Sequence, residues 1–104
     1  MAESHVPFKK RCEEPIKQRT KTWTTRTKWL GNVGDTFTAF GRREVIVERR
    51  EMLLADIARD HWREEGCTSE QDFIECWKEI HPQSGWTPNE IGGVHIFKDT
   101  GPAW

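Results

Sequence analysis

The sequence has no tyrosine, only three cysteines, and no apolar run approaching the length of a membrane span. Each shortage excludes something. Cys12, Cys67 and Cys76 are odd in number and widely spaced, and no two stand as CxxC, which argues against a disulfide framework and a zinc ribbon. His5, His61, His81 and His95 form neither HxxxH nor HExxH, so neither a metal site nor a cofactor is expected. With no stretch of roughly 20 apolar residues, no membrane span is expected. The opening Met1-Ala2-Glu3-Ser4-His5-Val6-Pro7-Phe8 has no apolar segment of the secretory kind. The expectation is a cytoplasmic protein with free thiols and no obligatory protein partner.

What is present fits one small domain. The chain has 104 residues, 35% of them hydrophobic and 32% charged, which suits a globular chain with a modest core rather than a disordered one. One domain over 1–104 is expected, with its core at about 8–98 and both ends as tails. Six tryptophans and five phenylalanines supply the aromatic mass, and indoles serve both for packing and for stacking on flat ligands. The net charge of −1 hides an uneven distribution: from Lys9 to Lys28 eight residues are basic and two acidic, whereas from Glu51 to Glu79 nine are acidic and three basic. Two readings of that asymmetry stay open. The first segment forms a basic face for phosphate, or the two segments neutralise each other in the fold.

Local patterns outline the elements. Pro15-Ile16-Lys17-Gln18 opens a short helix, and the threonine- and tryptophan-rich run Thr20–Lys28 reads as extended chain or loop. Thr36–Phe40 and Glu44–Glu48, the latter continuing toward Met52, read as strands separated by a turn at Gly41. Leu54, Ile57, Ala58 and Trp62 share one helical face that Gly66 ends. Ser69, with Asp72 three residues on, caps a second helix with Phe73, Cys76, Trp77 and Ile80 as its stripe and Pro82 beyond its end. Ile91–Lys98 is a closing strand weakened by Gly92-Gly93, followed by a tail in which Trp104 docks or stays loose. Strands flanking a central helical pair, with no βαβ alternation, predict an α+β fold.

The ordered motifs Ile16-Lys17-Gln18-Arg19-Thr20-Lys21-Thr22-Trp23-Thr24-Thr25-Arg26, Gly34-Asp35 before a phenylalanine-bearing strand, and Glu65-Gly66-Cys67-Thr68-Ser69 before Asp72-Phe73 and Trp77 resemble the ASCH family from about Phe8 to Phe97. In that family a short helix enters a Lys-Thr-x-Thr-x-Arg loop, matched here by Lys21, Thr22, Thr24 and Arg26. The resemblance implies a PUA-like small β-barrel of about five strands with two or three short helices, and a cleft lined by that loop. It also implies RNA or a modified nucleoside as partner. Small stand-alone members deacylate N4-acetylcytidine, and their functional trio falls on Lys21, Thr24 and Glu65. Arg19 stands where the family has glycine, Cys67 replaces an aromatic, and Gly85-Trp86-Thr87-Pro88 is an insertion.

The residue chemistry permits that reading and requires a particular shape. A threonine hydroxyl is inert unless a base sits beside it, and a lysine is a base only when its surroundings favour the neutral amine. Arg26 can bind a carbonyl, a phosphate or an oxyanion. In a regular strand Thr22, Thr24 and Arg26 share one face and Lys21, Trp23 and Thr25 the other, so Lys21 reaches Thr24 only if the chain turns. Arg19, Thr22, Trp23, Arg26 and Trp86 are the expected ligand-binding side chains, Trp86 as an exposed stacking residue and Trp23 and Trp29 as stacking or core residues. Three functions remain open: an amidohydrolase, a non-catalytic RNA-binding module, and an RNA-cleaving protein.

Overall fold

The computed structural model describes residues 2–103, so the docking of Trp104 falls outside the described residues. Four antiparallel strands, β1 (Trp23–Arg26), β2 (Thr36–Ala39), β3 (Arg42–Leu53) and β4 (Ile91–Pro102), pair in the order β1-β4-β3-β2. A 3-10 turn, Lys10–Cys12, runs into helix α1 (Glu13–Lys17), and helices α2 (Leu54–Asp60) and α3 (Glu70–Ile80) occupy the β3–β4 connection. β2 and β3 form a hairpin through Phe40-Gly41, both in the left-handed region that tight hairpin turns require. The long β3–β4 pair changes register between Arg43 and Glu44 and again between Ile46 and Glu48. Such bulges add bend and twist, and the sheet curls into a half-barrel.

The small barrel of about five strands expected from the sequence takes the form of a four-stranded half-barrel. The N-terminal segment partly fills the gap. Glu3 bridges Thr36 in parallel on the outer edge of β2, with Ser4 N–H donating to Thr36 C=O at 2.7 Å. Val6 is buried, and the Pro7 carbonyl accepts a hydrogen bond from Arg26 of β1 at 2.6 Å. Of the two ends expected to be tails, residues 2–7 and 99–102 are therefore part of the fold. Residues 2–8 run along the open side of the half-barrel, and β4 runs to Pro102 because Arg42 and Arg43 offer it partners across the ladder.

Two apolar clusters fill the fold. Val6, Ile16, Phe37, Ala39, Ile46 and Phe97 pack inside the half-barrel, and Trp23, Leu54, Ile57, Ala58, Phe73, Trp77 and Val94 lie between the sheet and α2/α3. Ser69 caps α3 through its hydroxyl, which accepts the Asp72 N–H at 3.0 Å. Ile80, expected on the buried stripe of α3, is 48% exposed at the last position of the helix, where it lines a cavity. Gly92, expected to weaken β4, instead permits close packing: a Cβ there would stand 2.5 Å from Thr25 Cγ2 and 2.9 Å from Leu54 Cδ2.

Candidate functional site

β1 is an edge strand, and beside it lies a cavity of about 550 Å³. The N-terminal segment and α1 wall one side through Phe8, Cys12 and Pro15, and α3 walls the other through Phe73, Cys76 and Trp77. Because the sheet ends at β1, side chains from both of its faces reach this space: Lys21 and Thr25 from one, Thr24 and Arg26 from the other. The turn that the sequence demanded between Lys21 and Thr24 is therefore unnecessary for both to line one cavity.

Lys21 precedes β1 and forms an isolated antiparallel bridge with Glu65. Its Nζ donates to the carbonyls of Trp23 at 2.9 Å and Glu65 at 2.8 Å, and stands 3.7 Å from Glu65 Oε1. The other Glu65 oxygen accepts the Thr25 hydroxyl at 2.6 Å. Lys21 is 7% and Glu65 6% exposed. Gly66 lets the two segments meet: its φ is +82°, and a Cβ there would come within 2.7 Å of Lys21 Cβ. A buried cation facing a buried anion is a costly arrangement, since removal of both from water takes several kcal/mol per ion before their attraction is counted.

A second polar pair lies on the other face of β1. Arg26 Nε donates to Thr24 Oγ1 at 3.0 Å, while its terminal nitrogen holds the Pro7 carbonyl. Burial lowers the pKa of Arg26, although a guanidinium stays charged throughout the ordinary pH range. The Phe8 ring lies 5.1 Å from the Arg26 guanidinium and 5.9 Å from Lys21 Nζ, so one aromatic face serves two cations. Behind Thr24, the fully buried His95 accepts the Leu30 N–H on Nε2 at 3.0 Å and sets Nδ1 3.3 Å from the Thr24 carbonyl. These contacts select the neutral imidazole with its proton on Nδ1. Burial lowers the His95 pKa in the same sense.

Lys9, Arg11 and Lys28 join Lys21 and Arg26 in the cavity lining, against Glu65 and Glu79. Five of the eight basic side chains of the first segment line the cavity. The basic segment does gather at one opening, and Arg11 is drawn to the acidic helix, 3.0 Å from Asp72 and 3.8 Å from Glu79. All three cysteines line the cavity too, but burial pushes the Cys67 thiol up to about 12 and raises that of Cys76, so neither is a ready thiolate. Among the described residues no cluster of His, Cys, Asp and Glu has metal-binding geometry, and no helix is long and apolar enough to cross a membrane.

Of the residues singled out from sequence, Lys21, Thr24, Arg26 and Glu65 meet at the cavity. Arg19, Thr22, Trp23 and Trp86 do not line it. Arg19 adopts φ +63° past α1, and its Nε stands 3.8 Å from Asp99 on β4. Thr22 is tied through its backbone N–H to Glu64 and through its carbonyl to Phe97. Trp23 is buried, stacked on His61 with ring centroids 4.2 Å apart. Trp86, expected as an exposed stacking residue, packs edge-on against Phe73 at 6.2 Å because the insertion folds back over α3. Trp29 is 39% exposed, its edge against His95 and its face under Arg49. Sequence reasoning missed Phe8, Thr25 and His95 as site residues. The apolar Val6-Pro7-Phe8 was the one available signal, since a tail has no use for it.

No protein-family model and no curated protein sequence matches the chain. A solved structure does: the crystal structure of an ASCH domain from Lactobacillus crispatus JV V101 superposes with a TM-score of 0.60 over 94% of this chain and 78% of that one, at 12% sequence identity. The chain has the ASCH fold. The α+β architecture implied by the motifs is thereby met at the level of fold, with the open edge of its sheet forming the cavity wall.

Proposed function

We propose that this ASCH-fold protein binds a modified nucleoside in the cavity beside β1 and hydrolyses its N4-acyl amide, N4-acetylcytidine being the reference substrate. The observation that carries the reading is the Lys21–Glu65 pair, buried in the wall of a largely apolar cavity of nucleoside size. Packing alone is served as well or better by apolar side chains at such positions, whereas ionisable groups gathered in a cleft are what acid–base chemistry needs. Lys21 spends its hydrogen bonds on two carbonyls, and in this reading it holds Glu65 in place rather than serving as the base.

In this reading the Thr24 hydroxyl, aligned by Arg26 Nε, attacks the acyl carbon, and its proton passes through a cavity water to the Glu65 carboxylate on the other face of β1. The oxyanion faces the Arg26 and Lys21 cations. When the C–N bond breaks, Glu65 returns the proton to N4 and cytidine leaves. Water, deprotonated by Glu65, then cleaves the threonine ester to release acetate and restore the hydroxyl.

The test is cytidine release from N4-acetylcytidine by wild type, Thr24→Ala and Glu65→Gln, with folding checked by circular dichroism. Each variant is expected to lower kcat by about 10²–10⁴-fold. Folded wild type without turnover would reject the reaction. A second reading, an RNA-binding module without chemistry, draws on Lys9, Arg11 and Lys28 at the opening. It predicts RNA affinity that falls steeply with salt, whereas binding of an uncharged nucleoside is nearly insensitive to it.

A further inference from the structure

The outer edge of β1 is only partly covered. Across the antiparallel pairing with β4, Phe97 N–H donates to the Thr22 carbonyl at 2.8 Å, so by alternation Thr24 and Arg26 point their N–H and C=O groups at β4. Trp23 and Thr25 point theirs the other way. Trp23 is satisfied there: its N–H donates to Glu64 C=O at 2.9 Å and its carbonyl accepts Lys21 Nζ at 2.9 Å. The Glu64–Glu65 segment that covers this half of the edge then turns away at Gly66, with φ +82°. Thr25 comes next along the edge, roughly 7 Å further on. Its side chain is held by Glu65. Among the described residues its backbone N–H and C=O have no partner beyond the sheet, although the residue is only 8% exposed and lines the cavity. Buried backbone groups left unpaired are uncommon and costly.

We propose that the Thr25 peptide groups read the pairing edge of the nucleobase. Resting on the nucleoside reading above, this adds how the base is recognised. One residue of an edge strand presents a donor and an acceptor side by side in the plane of the sheet. A cytosine edge presents the complement: N3 accepts the Thr25 N–H, and N4–H donates to the Thr25 carbonyl. Acylated N4 keeps one N–H, so the modified base still fits. Uracil, with N3–H and O4, reverses the donor and acceptor order and is discriminated against. A peptide strand is the less favoured occupant, because strand addition needs a run of open edge, and β1 ends one residue later at Arg26, whose side chain is tied to Pro7.

The experiment pairs turnover with an assigned amide spectrum of ¹⁵N-labelled protein. N4-acetylcytidine is compared with its 3-deaza analogue, which replaces N3 by C–H at nearly the same shape. The expected result is a rise of about 10-fold or more in KM or Kd for the 3-deaza compound, and a downfield shift of the Thr25 amide proton with N4-acetylcytidine alone. Equal affinity for the two compounds, or an unmoved Thr25 amide at saturation, overturns the base-reading role and leaves the nucleoside reading standing. No binding or turnover of either compound overturns both. A Thr25 amide that responds to an extended peptide and to neither nucleoside overturns the proposal in favour of strand addition.

Discussion

Lys21 Nζ donates to the backbone carbonyl of Glu65 at 2.8 Å and stands 3.7 Å from the carboxylate of the same residue. One side chain thereby holds both the position of the Glu65 segment and the charge of its side chain. The two residues are 44 apart in sequence, so this contact ties the loop before β1 to the connection between α2 and α3. Removing the amine while leaving the carboxylate buried should cost about 3–5 kcal/mol. Lys21→Met is expected to lose that amount in urea denaturation, and Lys21→Met combined with Glu65→Gln to recover part of it. A double variant as unstable as the sum of the two singles would show that the charges do not interact.

Gly66 is the hinge of that contact. Gly66→Ala places a Cβ 2.7 Å from Lys21 Cβ at a backbone angle that L-residues disfavour. The expected loss is about 2–4 kcal/mol, with any nucleoside hydrolysis falling in parallel as Lys21 is pushed from Glu65. Thermal unfolding with a turnover assay on the same sample checks both.

Glu44 is buried on β3, facing Asp99 of β4 across the ladder, and among the described residues its Oε2 has no hydrogen-bond partner. Burial, and then the Asp99 charge, raises its pKa from 4.5 to about 7. The folded chain therefore keeps this proton where the unfolded chain has released it. The stabilisation is complete below about 4.5 and is lost as pH rises through 7. Glu44→Gln mimics the protonated form. It is expected to exceed wild type by about 1–3 kcal/mol in mildly alkaline buffer and to match it in acid. Urea midpoints at the two pH values decide.

His95 works in the opposite sense. Its neutral Nε2 accepts the Leu30 N–H, and burial, opposed by the Thr24 carbonyl and reinforced by Arg26 and Arg49, holds its pKa below 6.5. The stabilisation is present above 6.5 and is lost as pH falls through the folded value. Protonation takes away the acceptor for Leu30, so the 27–30 segment beside the cavity should loosen on the acid side. An NMR titration following the His95 ring and the Leu30 amide should show both moving together. A Leu30 amide indifferent to His95 protonation would refute the coupling.

Much of the fold was legible locally. The Ser69 cap, the Phe73 and Trp77 stripe and the Gly41 turn need only neighbours in sequence, and α3, β2 and β3 formed where those signals lay. Of the Lys21-Thr22-Trp23-Thr24-Thr25-Arg26 run, Lys21, Thr24 and Arg26 line one cavity together with Glu65. What failed was orientation. Trp86 looked like a stacking residue because its Gly/Pro loop has no stripe, yet it packs on Phe73 from a helix it follows in sequence.

The sequence by itself determined the α+β content, the helix boundaries set by Ser69 and Pro82, and the chemical groups available to the site, because these depend on residue type and on spacing within a few positions. Only the tertiary structure decided that the N-terminal segment packs along the open side of the half-barrel, that β1 is an edge whose two faces open on one cavity, and that Thr25 rather than Thr24 holds the Glu65 carboxylate. Those outcomes depend on strand order and on a register shared with residues as far away as Ile96 and Glu65. No local periodicity encodes a partner at that distance.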